Sequence, residues 1–177
     1  MSPFAANDPR SAPAMHDPAR LQEIFDLGLT DEREDPVLNA IAEEASTRLR
    51  LPISMVSIIM GDAQGLAGSH GLYGWTAEAQ GLPVEWSFCA HSVRTREEFV
   101  VENAATHPVM SESPVVKVDG IRCYAGIPLI SSRGHVLGNL CVIGAEERTF
   151  DVEEMELLRG LAARAVARIE ERRAPGS

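Results

Sequence analysis

Three cysteines, five histidines and a run of carboxylates are the side chains of this chain best suited to chemistry. Cys89 and His91 stand close enough in sequence for an imidazole to activate a thiol as a nucleophile. A short helix is expected over Ser87–Val93, however, and residues i and i+2 of a helix point about 200° apart. Cys89 therefore reads as a packing thiol, a small hydrophobe. Cys123 and Cys141 fall on strands expected to pair, so their register decides whether they meet. A four-residue loop Ser131–Gly134 sets Ile130 opposite His135 and Tyr124 opposite Cys141, with Cys123 on the other face. A three-residue loop Ser132–Gly134 sets Ala125 opposite Cys141 and leaves the thiols as diagonal neighbours about 7–8 Å apart, beyond usual disulfide reach. Both registers predict reduced thiols. An odd number of cysteines without a CxxC pair specifies neither a disulfide framework nor a zinc site.

His70, His91, His107 and His135 are scattered, lacking the i, i+4 spacing and adjacent carboxylates of a metal or haem site. They read as solvated or singly hydrogen-bonded side chains. Glu153, Glu154 and Glu156 cluster where a helix begins and complement its dipole. GxSxG, GxGxxG, P-loop and HExxH motifs are all missing. No metal or cofactor is called for, and the chain reads as a binding or regulatory module rather than an enzyme.

The bulk properties frame these residues. At 177 residues the chain suits one domain with a sizeable core. Its 45% hydrophobic and 24% charged content is that of an ordinary globular protein. A formal net charge of −10, with Lys117 the only lysine and Arg172-Arg173 the longest basic run, argues against nucleic acid and against an anionic membrane surface. The first twenty residues lack the apolar region of a signal peptide. The longest apolar stretch, around Ile53–Met60, is well short of the ~20 residues that cross a bilayer. The expected location is the cytoplasm.

Residues 1–16, rich in Pro and Ala without periodicity, read as a disordered leader, residues 17–173 as the domain and 174–177 as a tail. Asp17-Pro18 and Asp35-Pro36 each combine an N-cap with proline at the first helical position. The first opens a short helix carrying Leu21, Ile24 and Phe25 and ending at Gly28. The second opens a longer one carrying Val37, Leu38, Ile41, Ala42, Ala45 and Leu49, stopped by Pro52. Ile53–Met60 is a charge-free central strand, followed by a glycine-spotted strand near Gln64–Leu72. Residues 73–86 read as a loop. A short strand at Glu98–Glu102 precedes an irregular stretch, then strands Arg122–Ile130 and His135–Ile143. Asp151 and Glu154 can form a capping box, with Phe150 and Met155 as a hydrophobic staple, for a helix carrying Leu158, Leu161, Ala162, Ala165, Val166 and Ile169. Arg172 and Arg173 suit its negative end. Strands do not alternate with helices, so an antiparallel sheet fits better than a parallel one.

Five stretches taken together resemble a GAF domain of the kind found in bacterial histidine kinases and diguanylate cyclases. They are Ser87–His91; Val101–Ala104 with His107-Pro108; Ile121–Leu129; Val136–Ile143; and Phe150–Leu158. The resemblance spans roughly Leu21–Glu171. It implies an α+β fold: a five- or six-stranded antiparallel sheet, N- and C-terminal helices on one face and a ligand pocket on the other. It implies homodimers through the terminal helices and a role in signalling with a separate protein; many relatives are fused to an output domain, which is not expected here. The Asn-Lys…Phe…Asp-Glu pattern of cyclic-nucleotide binders is matched only at Phe150 and Glu154, which argues against cyclic GMP. Ala90 separates Cys89 from His91, unlike the adjacent Cys-His of bilin binders. At position 123, where close relatives carry an aromatic residue, this chain has a thiol.

If the fold holds, residues 87–91 and 107–115 cover the non-helical face. Phe88, His107, Met110, Pro114 and either Cys123 or Tyr124 then line one concave, mainly apolar site. Alternation along a strand sends positions 123 and 124 to opposite faces, and Tyr124, with its hydroxyl, is the better ligand-orienting residue. The expected function is a small-molecule sensor or regulatory module. The alternatives are a free methionine-(R)-sulfoxide reductase on the same fold and a ligand-free dimerisation domain. The reductases place their thiol in the loop before the final hairpin, whereas Cys123 lies within a strand.

Overall fold

Two aspartate-proline caps start the fold as the sequence requires. In the computed structural model, which describes residues 16–30, 35–61, 63–71, 82–83, 90–108, 111, 114–117 and 120–171, the Asp17 side chain accepts from the Ala19 amide at 3.0 Å. Helix α1 then runs over Pro18–Asp26, with Gly28 beyond its end at φ +70°. Asp35 accepts from the Val37 amide at 2.8 Å and opens α2, Pro36–Leu49. The leader, the tail and Arg172-Arg173 lie outside the described residues, apart from His16 at the leader's edge.

The strands are β1 (Ile53–Ile59), β2 (Ala63–His70), β3 (Leu82–Pro83), β4 (Phe99–Val101), β5 (Cys123–Ile130) and β6 (Val136–Gly144). They form one antiparallel sheet in the order β3-β2-β1-β6-β5-β4. Two short helices, α3 (Ala90–Thr95) and α4 (Pro114–Lys117), precede β4 and β5, and the long α5 (Val152–Glu170) closes the chain. β3 and α4 lie in stretches expected to be irregular.

The sheet has two unlike faces. α2 and α5 cover one, packing Leu38, Ile41, Ala45, Leu158, Leu161 and Ile169 onto Val56, Ile58, Leu140 and Val142. Gly68 permits this close approach, since a Cβ there would stand 2.7 Å from Leu38. The capping box of α5 forms as its sequence demands, with Glu154 N donating to Asp151 Oδ1 at 2.8 Å and Asp151 N to Glu154 Oε1 at 3.2 Å. The apolar residues expected on the terminal helices are largely consumed here. Ile24, Leu158, Leu161, Ala162, Ala165 and Ile169 are all buried within the chain, which leaves Phe25 exposed at 65%.

At its turn the β5–β6 hairpin follows the three-residue loop Ser132–Gly134, but the register then slips by one residue, so that neither expected partner faces Cys141. Gly126 faces Cys141, and the pairs Leu129–Gly138 and Ile130–Val136 leave Leu137 as an extra residue on β6. This bulge shifts the count between the tight turn, where Ser131 N donates to His135 O at 2.8 Å, and the rest of the ladder. Cys123 consequently packs among the helical-face residues and Cys141 on the opposite face, both reduced and buried.

Candidate functional site

Alternation along β5 turns Tyr124 away from the long helices, and the same alternation along β6 turns Asn139 and Cys141 with it. An amide inside the apolar run Val136–Ile143 is costly unless its groups are bonded. Here they are. Tyr124 Oη donates to Asn139 Oδ1 at 3.0 Å, and Asn139 Nδ2 donates to Ser92 Oγ at 2.7 Å. Ser57 Oγ, from β1, donates to the Asn139 carbonyl at 3.2 Å. All four residues are fully buried. The chain of bonds joins β5, β6 and α3, so it ties the helix covering this face to the centre of the sheet.

Gly126 makes room for the pair. A Cβ there would lie 2.4 Å from the Tyr124 hydroxyl and 2.7 Å from both polar atoms of the Asn139 amide. Phe99 of β4 supplies the neighbouring wall, its ring 5.9 Å from that of Tyr124 and tilted by 53°. His107 meets the same phenyl edge-on, with centroids 5.7 Å apart at 89°. Burial holds the His107 imidazole below its ordinary pKa of 6.5, so it is neutral at physiological pH and offers one donor and one acceptor. Val93, Val101, Ala104 and Val116 complete the apolar surround. Arg122 secures α4 at the margin, its Nη1 donating to the carbonyls of Val116 at 3.0 Å and Ile121 at 2.9 Å.

Tyr124 and His107 thus reach one cluster, joined through Phe99. Pro114 begins α4, but its side chain, like Phe88 and Met110, lies outside the described residues. Ser92, Phe99 and Asn139 were not expected at this face. Their signal was present in the buried amide of β6, which demanded partners that strand periodicity alone does not name. Cys123, the alternative to Tyr124, is on the helical face, where burial pushes its thiol pKa up and keeps it protonated.

An antiparallel sheet with long helices on one face and short segments folded over the other defines a class of small regulatory and binding domains. A family model described as GAF domain matches residues 31–170, and the chain belongs to that family. Over 153 residues the chain is 33% identical to a cyclic di-GMP phosphodiesterase of Pseudomonas aeruginosa, a match covering 85% of this chain and 25% of that protein. It therefore spans about a quarter of the length of this relative. The GAF domain of a phosphoenolpyruvate-protein phosphotransferase from Coxiella burnetii superposes with a TM-score of 0.67 at 21% identity, covering 92% of this chain and 98% of the other. A free methionine-R-sulfoxide reductase from Neisseria meningitidis, in complex with its substrate, superposes with a TM-score of 0.63 at 19% identity, covering 84% and 86%.

These comparisons overturn one expectation. The missing catalytic motifs led to the reading that the chain is not an enzyme. A curated relative is nevertheless named as a phosphodiesterase, and solved reductases share the fold. Motif absence was too weak a filter, because catalytic groups on one fold need not occupy a short contiguous pattern. Among the described residues no helix is long and apolar enough to cross a membrane.

Proposed function

We propose that this GAF domain is a small-molecule-binding sensor in a signalling pathway, with its ligand held on the non-helical face of the sheet. The observation that carries this reading is the buried chain Tyr124–Asn139–Ser92, placed beside the Phe99–His107 ring pair. Polar side chains with neutral donors and acceptors among aromatic and aliphatic walls are the usual makings of a small-molecule site. Tyr124 and His107 are the ligand-facing residues in this reading, together with Phe88, Met110 and Pro114. The chain acts in the cytoplasm on a separate signalling protein. Two copies associate through α1 and α5, with the exposed Phe25 as an apolar contact.

Native mass spectrometry of freshly purified protein tests both parts. The expected spectrum shows a dimer carrying a retained small molecule, and Asn139→Ala lowers the occupied fraction at least tenfold. A spectrum of bare protein that no metabolite mixture shifts contradicts the ligand reading, and a monomer at micromolar concentration contradicts the dimer.

A further inference from the structure

The non-helical face is not the only place where this fold buries polar groups. Arg20 and Glu23, both on α1, are 3% and 2% exposed. Charged side chains are almost never this buried unless they are paired, so α1 is docked by something other than simple apolar burial. Arg20 Nη1 donates to the carbonyls of Ile59 at 2.6 Å and Val136 at 3.1 Å. The β1–β6 ladder ends at the pair Ile58–Gly138, and the guanidinium bridges the two strands beyond that point. Glu23 Oε1 accepts from Ser131 Oγ at 2.6 Å and lies 2.8 Å from His135 Nδ1, both in the β5–β6 turn. α1 therefore holds the open end of the sheet with one charge and the hairpin turn with the other.

We propose that α1 is a polar latch, a helix that docks on and releases from the end of the sheet as a unit while the rest of the domain stays folded. Its nine residues are fewer than the ~12–15 an isolated helix needs to be even marginally stable, so α1 is helical because it is docked. Ile24 and Leu27 add apolar anchoring. The two charges set the character of the joint. Docking strips both of water, and burial pulls the Arg20 pKa down to about 10 against the opposing pull of Asp17. Release returns both charges, the turn hydroxyl and the imidazole to solvent, where water replaces the lost bonds, whereas removing one charge alone strands its buried partners in the docked state and favours release. The buried face of α5, Leu158, Leu161, Ala162, Ala165 and Ile169, is aliphatic and recovers nothing comparable. Opening confined to one segment is then favoured over opening of the whole domain.

The latch touches the rest of the fold where movement would matter. Ile59 and Val136, whose carbonyls Arg20 holds, pack their side chains into the same non-helical core as Tyr124. α1 also precedes the residues matched by the family model. The latch stands on its own contacts and does not depend on a ligand binding at Tyr124, so either can fail alone.

Native-state hydrogen exchange of the full chain in low urea is the test. In the unaltered protein, amides of α1 should exchange through an opening with weaker urea dependence than those of β5 and β6. Arg20→Met and Glu23→Gln should each speed α1 exchange at least tenfold and leave β5–β6 exchange within twofold. Ser131→Ala, which removes one partner of Glu23 and leaves both charges in place, should give a smaller acceleration of the same pattern. The latch is overturned if α1 shares the urea dependence of the sheet in the unaltered protein. It is equally overturned if the variants leave α1 unchanged or accelerate α1 and the sheet together.

Discussion

The two faces of the sheet are built on opposite principles. Beneath α2 and α5 the core is mainly an apolar layer of Leu, Ile, Val and Ala, and its buried Ser46 and Ser54 each donate to a backbone carbonyl. On the other side a tyrosine, an asparagine and two serines are buried together, and a glycine is kept open for them. An apolar layer tolerates exchange of one hydrophobe for another of similar size, and it is stable because it excludes water. A buried polar chain gains little net stability, since each bond replaces one to water, but it fixes which groups face which. The helical face therefore carries most of the stability of the domain, and the other face fixes the arrangement of its buried polar groups.

Substitutions can break that contrast. The largest loss is expected from Leu140→Ala, fully buried under the long helices, at about 2–5 kcal/mol by urea denaturation. A loss below 1 kcal/mol there would mean that the helical face is not the main source of stability. Gly126→Ala should cost about 1–3 kcal/mol, because the new methyl collides with Tyr124 and Asn139. Combining it with Tyr124→Phe should relieve part of the clash, giving a double variant less destabilised than the sum. Strict additivity would show that the hydroxyl does not occupy the space above residue 126. Tyr124→Phe alone should cost about 1–3 kcal/mol, because it leaves the buried Asn139 Oδ1 without its donor.

The smallest effect is one of pH. His107 is held below its ordinary pKa of 6.5 by burial, so the unfolded chain takes up this proton more readily than the folded one. The stability involved is present above pH 6.5 and is lost as pH falls through the lowered folded value. The fall in Tm from pH 7 to pH 5 should accordingly be smaller in His107→Gln than in the unaltered chain. An identical fall in both would place His107 in a solvated setting.

The helical half of the molecule was the more legible in sequence, for a physical reason. Asp17-Pro18, Asp35-Pro36 and Asp151 with Glu154 are local devices whose partners lie within four residues, and each forms as written. Strand identities and the α+β class followed from periodicity and from the lack of strand–helix alternation. The hairpin register did not, because the bulge at Leu137 adds one residue that no turn rule supplies. Alternation put Tyr124 and Cys123 on opposite faces, but which of them faced away from the helices was chosen on the Tyr124 hydroxyl alone. Asn139, Ser92 and Phe99 could not be joined to it, since their meeting is a product of the register and of α3 docking. Arg20 and Glu23 were equally hidden: on a short amphipathic helix they look like surface charges, and only the tertiary seat buries them.

The most direct test of the account is to map ligand contact onto the two faces. Amide and methyl NMR spectra of the labelled chain would be recorded while mixtures of small metabolites are added in turn. A binding mixture should shift Ser92, Phe99, His107, Tyr124 and Asn139 first, with Leu158, Leu161 and Ile169 little changed. Shifts centred on α2 and α5, or a spectrum that no mixture perturbs, would contradict it.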